Sequence, residues 1–152
     1  VHEAYSDNTK LLMIEKKYDE FVDAACYFIW EGNYTMFRWN VDGDFFSLDY
    51  LKACCDVAKR NPKVKFMAFT KQYAIAEQAL EMGIVPKNFN IVFSAWNEYK
   101  PDDVSKVPVA YYDDGEHKDL IDGKPFVCKD GCNHCKRCWN LKPGKAVIFK
   151  KH

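Results

Sequence analysis

Three short runs of aromatic and β-branched residues, TMFRWNV (35–41), VKFMAFT (64–70) and FNIVFSA (89–95), are separated by two stretches with helical spacing. This alternation restricts the fold more than any other feature of the chain. Parallel strands need a connecting segment long enough to return to the same end, and a helix with short joints supplies it. The first intervening helix, SLDYLKACCDVAKR, has Ser47 as a natural cap and places Leu48, Leu51, Cys55 and Ala58 on one face. It stops at Asn61-Pro62. The second, over KQYAIAEQALEMG, closes at Gly83, and Pro86-Lys87-Asn88 turns the chain into the third run. The predicted fold class is α/β, a parallel sheet or partial (β/α) barrel.

Upstream, Leu11, Ile14, Tyr18, Phe21, Val22, Ala25, Phe28 and Ile29 recur at steps of three and four. They predict one long helix from Thr9 to Trp30, capped by Asn8 or Thr9 and ended at Gly32. Downstream the pattern weakens, with VPVAYY (107–112) and KAVIFK (145–150) as two further strands. At 152 residues and 48% apolar content the chain reads as a single α/β domain, 1–152, with a C-terminal lobe over 124–152. No apolar run reaches eighteen residues and charges occur throughout the first thirty. Neither a membrane span nor a secretory signal is expected, and the expected setting is cytoplasmic.

That C-terminal lobe contains CKDGCNHCKRCW (128–139), four of the seven cysteines within eleven positions. A disulfide scaffold would spread its cysteines to close long loops, and adjacent Cys54-Cys55 suit no mutual bridge. Four clustered thiols in a polar loop point to a metal, with Cys128, Cys132, Cys135 and Cys138 as the ligands. The spacing C-x3-C-x2-C-x2-C is that of bacterial ferredoxins read backwards, and its first three cysteines have the spacing of radical S-adenosylmethionine enzymes. A [4Fe–4S] cluster is the favoured cofactor. Zinc is the alternative, although structural zinc sites usually draw paired cysteines from two separate places. Trp139 would cover the site, and His134 could replace one sulfur or simply sit in solvent. Cys26 reads as a small apolar residue.

Parallel sheets gather ligands at the C-terminal ends of their strands. Those ends supply Asp42, Asp44, Thr70, Lys71 and Ser94 as candidate cofactor-binding residues, with Trp96 and Asn97 just beyond. The plainer reading is turn chemistry: Asp42-Gly43-Asp44 as a turn, with Asp44 and Thr70 as helix caps. Arg38 alternates with Phe37 and Trp39, so it is either paired inside a barrel or exposed on an edge. No phosphate-binding glycine loop, H-E-x-x-H or Ser/His/Asp order is present.

The stretch FRWNVDGDFFSLDYLKACCDVAKRNPKVKFMAFTK (37–71), with PKNFNIVFSAW (86–96) and CNHCKRCW…VIF…H (132–152), resembles the phage "gene product 88" family over roughly residues 37–152. The resemblance implies a phage protein acting in the host cytoplasm. It also implies a further cysteine-bearing segment, CP…C…CY, ahead of the first helix. This chain begins at Val1 without one, so either an upstream piece carries more ligands or the protein does without it. A kinship with part of the radical S-adenosylmethionine barrel is a further implication, and it would put the GDF turn at the cosubstrate.

Net charge is zero but unevenly placed. Residues 118–152 hold nine Lys/Arg against three Asp, a surplus of six, leaving the first 117 residues at −6. The expected partners are a redox protein, or an acidic protein or nucleic acid at the basic C-terminus. The sequence thus favours an iron–sulfur protein for electron transfer or redox support, with radical chemistry as a lesser option. A zinc-stiffened binding module for nucleic acid or a host protein is the alternative.

Overall fold

Among the described residues six strands form one sheet in the order β1-β2-β3-β4-β6-β5, and every neighbouring pair is parallel. They are β1 Met36–Trp39, β2 Lys65–Thr70, β3 Phe89–Ala95, β4 Val109–Tyr112, β5 Phe126–Val127 and β6 Ala146–Phe149. The structure is a computed structural model that describes residues 10–95, 99–112, 125–129, 132 and 135–150. The sheet is open, with β1 and β5 at its edges, so the α/β class and parallel pairing stand while the barrel alternative does not. The two-residue β5 is a strand through its pairing with Val147 and Ile148 rather than through any run of its own.

Three helices, α1 (Tyr18–Glu31), α2 (Leu48–Arg60) and α3 (Tyr73–Glu81), join the apolar cluster on one face of the sheet. Successive right-handed crossovers that move in one direction along a sheet put their helices on the same side. Phe45, Leu51, Phe66 and Phe93 are fully buried on this face, and Trp39 stacks on Phe66 at 6.3 Å. Ser47 caps α2 by accepting from the Tyr50 backbone N–H at 3.1 Å, and Asn61 ends the helix, both as the sequence predicts. Such a cap is worth about 1 kcal/mol. Beyond it, Asn88 Nδ2 donates to the carbonyls of Ala58, Asn61 and Val64 at 2.9–3.1 Å, tying the exit of α2 to the entry of β3.

The first helix departs from expectation. A π-helical turn at Lys10–Ile14 precedes α1, and the chain breaks at Lys16, whose φ is +52°. Glu15 pairs with Lys10 and Lys17 beside the break. It buries Leu12 and leaves Ile14 of the expected stripe exposed. The caps proposed at Asn8 and Thr9 lie outside the described residues. Gly32 closes α1, and a Cβ there would run into the Tyr34 ring.

The other face carries its own apolar cluster: Met67, Val92, Ala110 and Val147, with Phe69, Phe126, Trp139, Leu141 and Phe149 packed against it. Both faces are therefore covered, which is why the strands read as nearly continuous apolar runs. Helices cover the first face, and the C-terminal lobe covers the second. Among the described residues no helix is long and apolar enough to cross a membrane.

Candidate functional site

The lobe leaves the sheet at Cys128, whose backbone N–H still bonds the Ile148 carbonyl at 2.8 Å, and it returns through a 3-10 turn at Cys138–Asn140. Asn90 fixes that turn from within β3: its Nδ2 donates to the carbonyls of Cys138 at 2.6 Å and Leu141 at 3.1 Å. The Trp139 indole N–H donates to the Phe37 carbonyl at 3.1 Å, carrying the turn over to β1. Cys128 and Cys138 thus pack against the same apolar cluster, while Cys135 is half-buried and Cys132 exposed. None of the seven cysteines is in a disulfide.

Burial pushes the Cys138 thiol up to about 11, and the nearby thiols of Cys128, Cys132 and Cys135 push it the same way. All four sulfurs therefore act on one neighbourhood. Arg38 opposes the shift. Its guanidinium lies 5.0 Å from the centre of the Phe69 ring on the second face, and its Nε is buried without a hydrogen-bond partner among the described residues. Arg38 is the residue of this site that sequence reasoning left unassigned. Alternation indicated its face, but only the fold shows that this face lies beneath the thiols.

Among the described residues no three His, Cys, Asp or Glu side chains are arranged to grip one metal ion. The four thiols are neighbours without being converged. His134 lies outside the described residues, as do Asp130, Gly131 and Asn133 of the same loop. The chemistry of the set fits a thiolate-bound centre in one specific respect: such a centre adds negative charge, and a half-buried cation whose Nε is an unused donor stands beside it.

The other three cysteines belong to the apolar cluster on the first face. Cys54 and Cys55 are fully buried in α2, and Cys26 is half-buried with Asn61 Nδ2 3.3 Å from its sulfur. Burial pushes the Cys55 thiol from 9.0 up to about 12. The folded chain then holds that proton more tightly than the unfolded chain. This contribution to stability is intact below about pH 9 and is lost as pH rises toward 12, by up to about 1.4 kcal/mol per pH unit. Urea unfolding of the metal-free protein from about pH 8 to about pH 11 should show a decline that Cys55→Ala makes shallower by up to that slope.

The second candidate region lies at the C-terminal ends of β1, β2 and β3. Asp44, Thr70, Lys71 and Ser94 line one cleft of ≈ 340 Å³, together with Asn40 and Tyr99. Asp42 lines a neighbouring cleft of ≈ 360 Å³ across the 40–44 loop. The sequence-predicted set is thus brought together except for Asp42, and Trp96 and Asn97 lie outside the described residues. Asp44 Oδ1 accepts from the Thr70 hydroxyl at 2.6 Å and the Phe45 N–H at 2.7 Å, while Oδ2 accepts from the Lys71 N–H at 2.7 Å. Asp44 therefore locks the turn onto β2 instead of capping α2. Thr70 also accepts from the Gln72 N–H at 3.0 Å, so its hydroxyl shapes the entry to α3. Lys71 reaches over the Tyr99 ring at 4.9 Å. Asn40, at φ +51°, lines both clefts; its Oδ1 accepts from Tyr50, and its Nδ2 is buried without a partner among the described residues.

These two regions contain the motifs that carried the family resemblance. The GDF aspartate bonds the threonine and lysine of the FTK run, and the CW pair turns over the second face. No curated protein and no solved structure matches the chain. The kinship with a radical S-adenosylmethionine barrel accordingly finds no support, and the open sheet supplies none. A family model described as Gene product 88 matches residues 1–141, reaching further toward the N-terminus than the motifs that first carried the likeness. With nearly its whole length matched, the chain belongs to the gene product 88 family.

Proposed function

We propose that the protein is a phage iron–sulfur protein serving electron transfer or redox support, with Cys128, Cys132, Cys135 and Cys138 as the residues that would hold a [4Fe–4S] cluster. The observation that carries this reading is the packing of Cys128 and Cys138, ten residues apart in sequence, against one apolar cluster on a single sheet face. When bound, the cluster supplies a one-electron redox couple. The chain's own residues do the rest. Arg38 offsets thiolate charge from beneath, and Trp139 and Phe126 keep water from the buried side. Exposed Cys132 leaves one side of the lobe open to a redox partner.

The test is anaerobic expression with both iron and zinc supplied, followed by metal and sulfide analysis. A brown protein with visible charge-transfer absorbance and matching iron and sulfide is the expected result. A colourless protein with stoichiometric zinc overturns the proposal in favour of a zinc-stiffened lobe.

A further inference from the structure

The opposite end of the sheet carries a separate feature. Lys63 and Lys65 stand at the start of β2, Lys87 just before β3 and Lys145 just before β6, so parallel pairing brings them to one end of the molecule. There they meet Lys136, Arg137 and Lys142 of the C-terminal lobe. One cleft of ≈ 410 Å³ is lined by Lys63, Lys65, Lys87 and Lys142, and a second of ≈ 460 Å³ by Lys136, Arg137, Lys142 and Lys145. The two share Asn140, Leu141 and Lys142, which makes them one groove.

All seven cations are exposed, and no Asp or Glu lines either cleft among the described residues. None of the seven pairs with a described carboxylate, whereas Lys10, Lys17, Lys52, Lys59, Arg60 and Lys106 each do. A chain of zero net charge that gathers seven such cations at one end keeps a local repulsion, which a bound polyanion would relieve. Three of the seven come from the part of the sequence whose summed charge is negative, so only the fold assembles the groove.

We infer that this groove binds single-stranded nucleic acid through its phosphate backbone. Six of the seven cations are lysines, which meet phosphates as point charges and are depleted in protein–protein interfaces. The walls are preset: Lys65 donates to Asn140 Oδ1 at 2.6 Å, and Arg137 stacks 3.9 Å from the centre of the Phe126 ring. Trp139 lines the same groove and offers a surface for a base. Nothing in this inference depends on the metal.

The experiment is fluorescence anisotropy on the full chain with a labelled single strand of about 15 nucleotides, as DNA and as RNA, a duplex of equal length, and polyglutamate as competitor. Binding to a single strand should weaken with salt, with a log–log slope of about −3 to −5. The Lys63→Gln/Lys87→Gln variant should flatten that slope by about 1.4 and weaken binding on the order of tenfold at low salt, with its circular dichroism melt unchanged. Absence of binding to either single strand, tighter binding to the duplex, or affinity unchanged in that variant overturns the inference. Displacement by polyglutamate at equal charge also overturns it and points to an acidic protein instead.

Discussion

Asp44→Ala is expected to destabilise the protein by about 3 kcal/mol and to lower its Tm by roughly 10 °C. The carboxylate is only half-buried, but it accepts three hydrogen bonds, and one donor is the hydroxyl of Thr70, which is 1% exposed. Alanine leaves that hydroxyl and the Lys71 N–H to find other acceptors, and hydrogen bonds to a charged group are the stronger kind. Asp44→Asn should lose about half as much, since its amide oxygen can still accept on one side while its NH₂ confronts a donor on the other. Thr70→Val, which removes that donor and also the acceptor of the Gln72 N–H, should cost about 1–2 kcal/mol. The double variant Asp44→Ala/Thr70→Val should cost less than the sum of its parts, because both changes break one contact. Chemical denaturation of the four proteins checks the set. A loss under about 1 kcal/mol for Asp44→Ala would mean that the turn holds without its carboxylate.

The second large effect concerns Cys132, the most exposed of the clustered thiols. Serine there removes almost no packing, so the metal-free variant should match the native chain within about 0.5 kcal/mol. After anaerobic reconstitution the two should part. The native chain should gain visible absorbance and thermal stability, and Cys132→Ser should lose most of both, because one of four ligands is gone. Cys26→Ser provides the control, since that sulfur lies against Asn61 in the helical layer and should leave iron content unchanged. Equal iron in the native chain and Cys132→Ser would remove Cys132 from the ligand set.

Much of the helical half was legible because its signals are local. Ser47 followed by an apolar periodicity, Asn61-Pro62 at the stop, and runs such as FNIVFSA each declare their structure within a few residues. The misses are positions where more than the local pattern decides. The break at Lys16 has no glycine to announce it; its left-handed backbone is offset by ion pairs and by the burial of Leu12. The brief β5 exists only because β6 lies beside it. An open sheet and a barrel share the same alternation until the strand order is known.

The candidate site divides in the same way. Spacing alone nominated the four cysteines, and strand ends nominated Asp44, Thr70, Lys71 and Ser94, which do line one cleft. Asp42 falls on the other side of its own turn, because the left-handed Asn40 and Gly43 redirect the loop between them. Arg38 was visible as an oddity among aromatics, but its place beneath the thiols depends on a turn one hundred residues later.

The bond from the Trp139 indole to the Phe37 carbonyl joins residues 102 positions apart, and it falls on a four-residue strand that, among the described residues, has a neighbour on one side only. Opening of that border strand therefore has to break a bond to a turn near the far end of the chain. Whatever orders the thiol lobe, whether a bound centre or a docked partner, will be registered as protection at Met36–Trp39, on the far flank of the molecule from the strand that leads into the lobe.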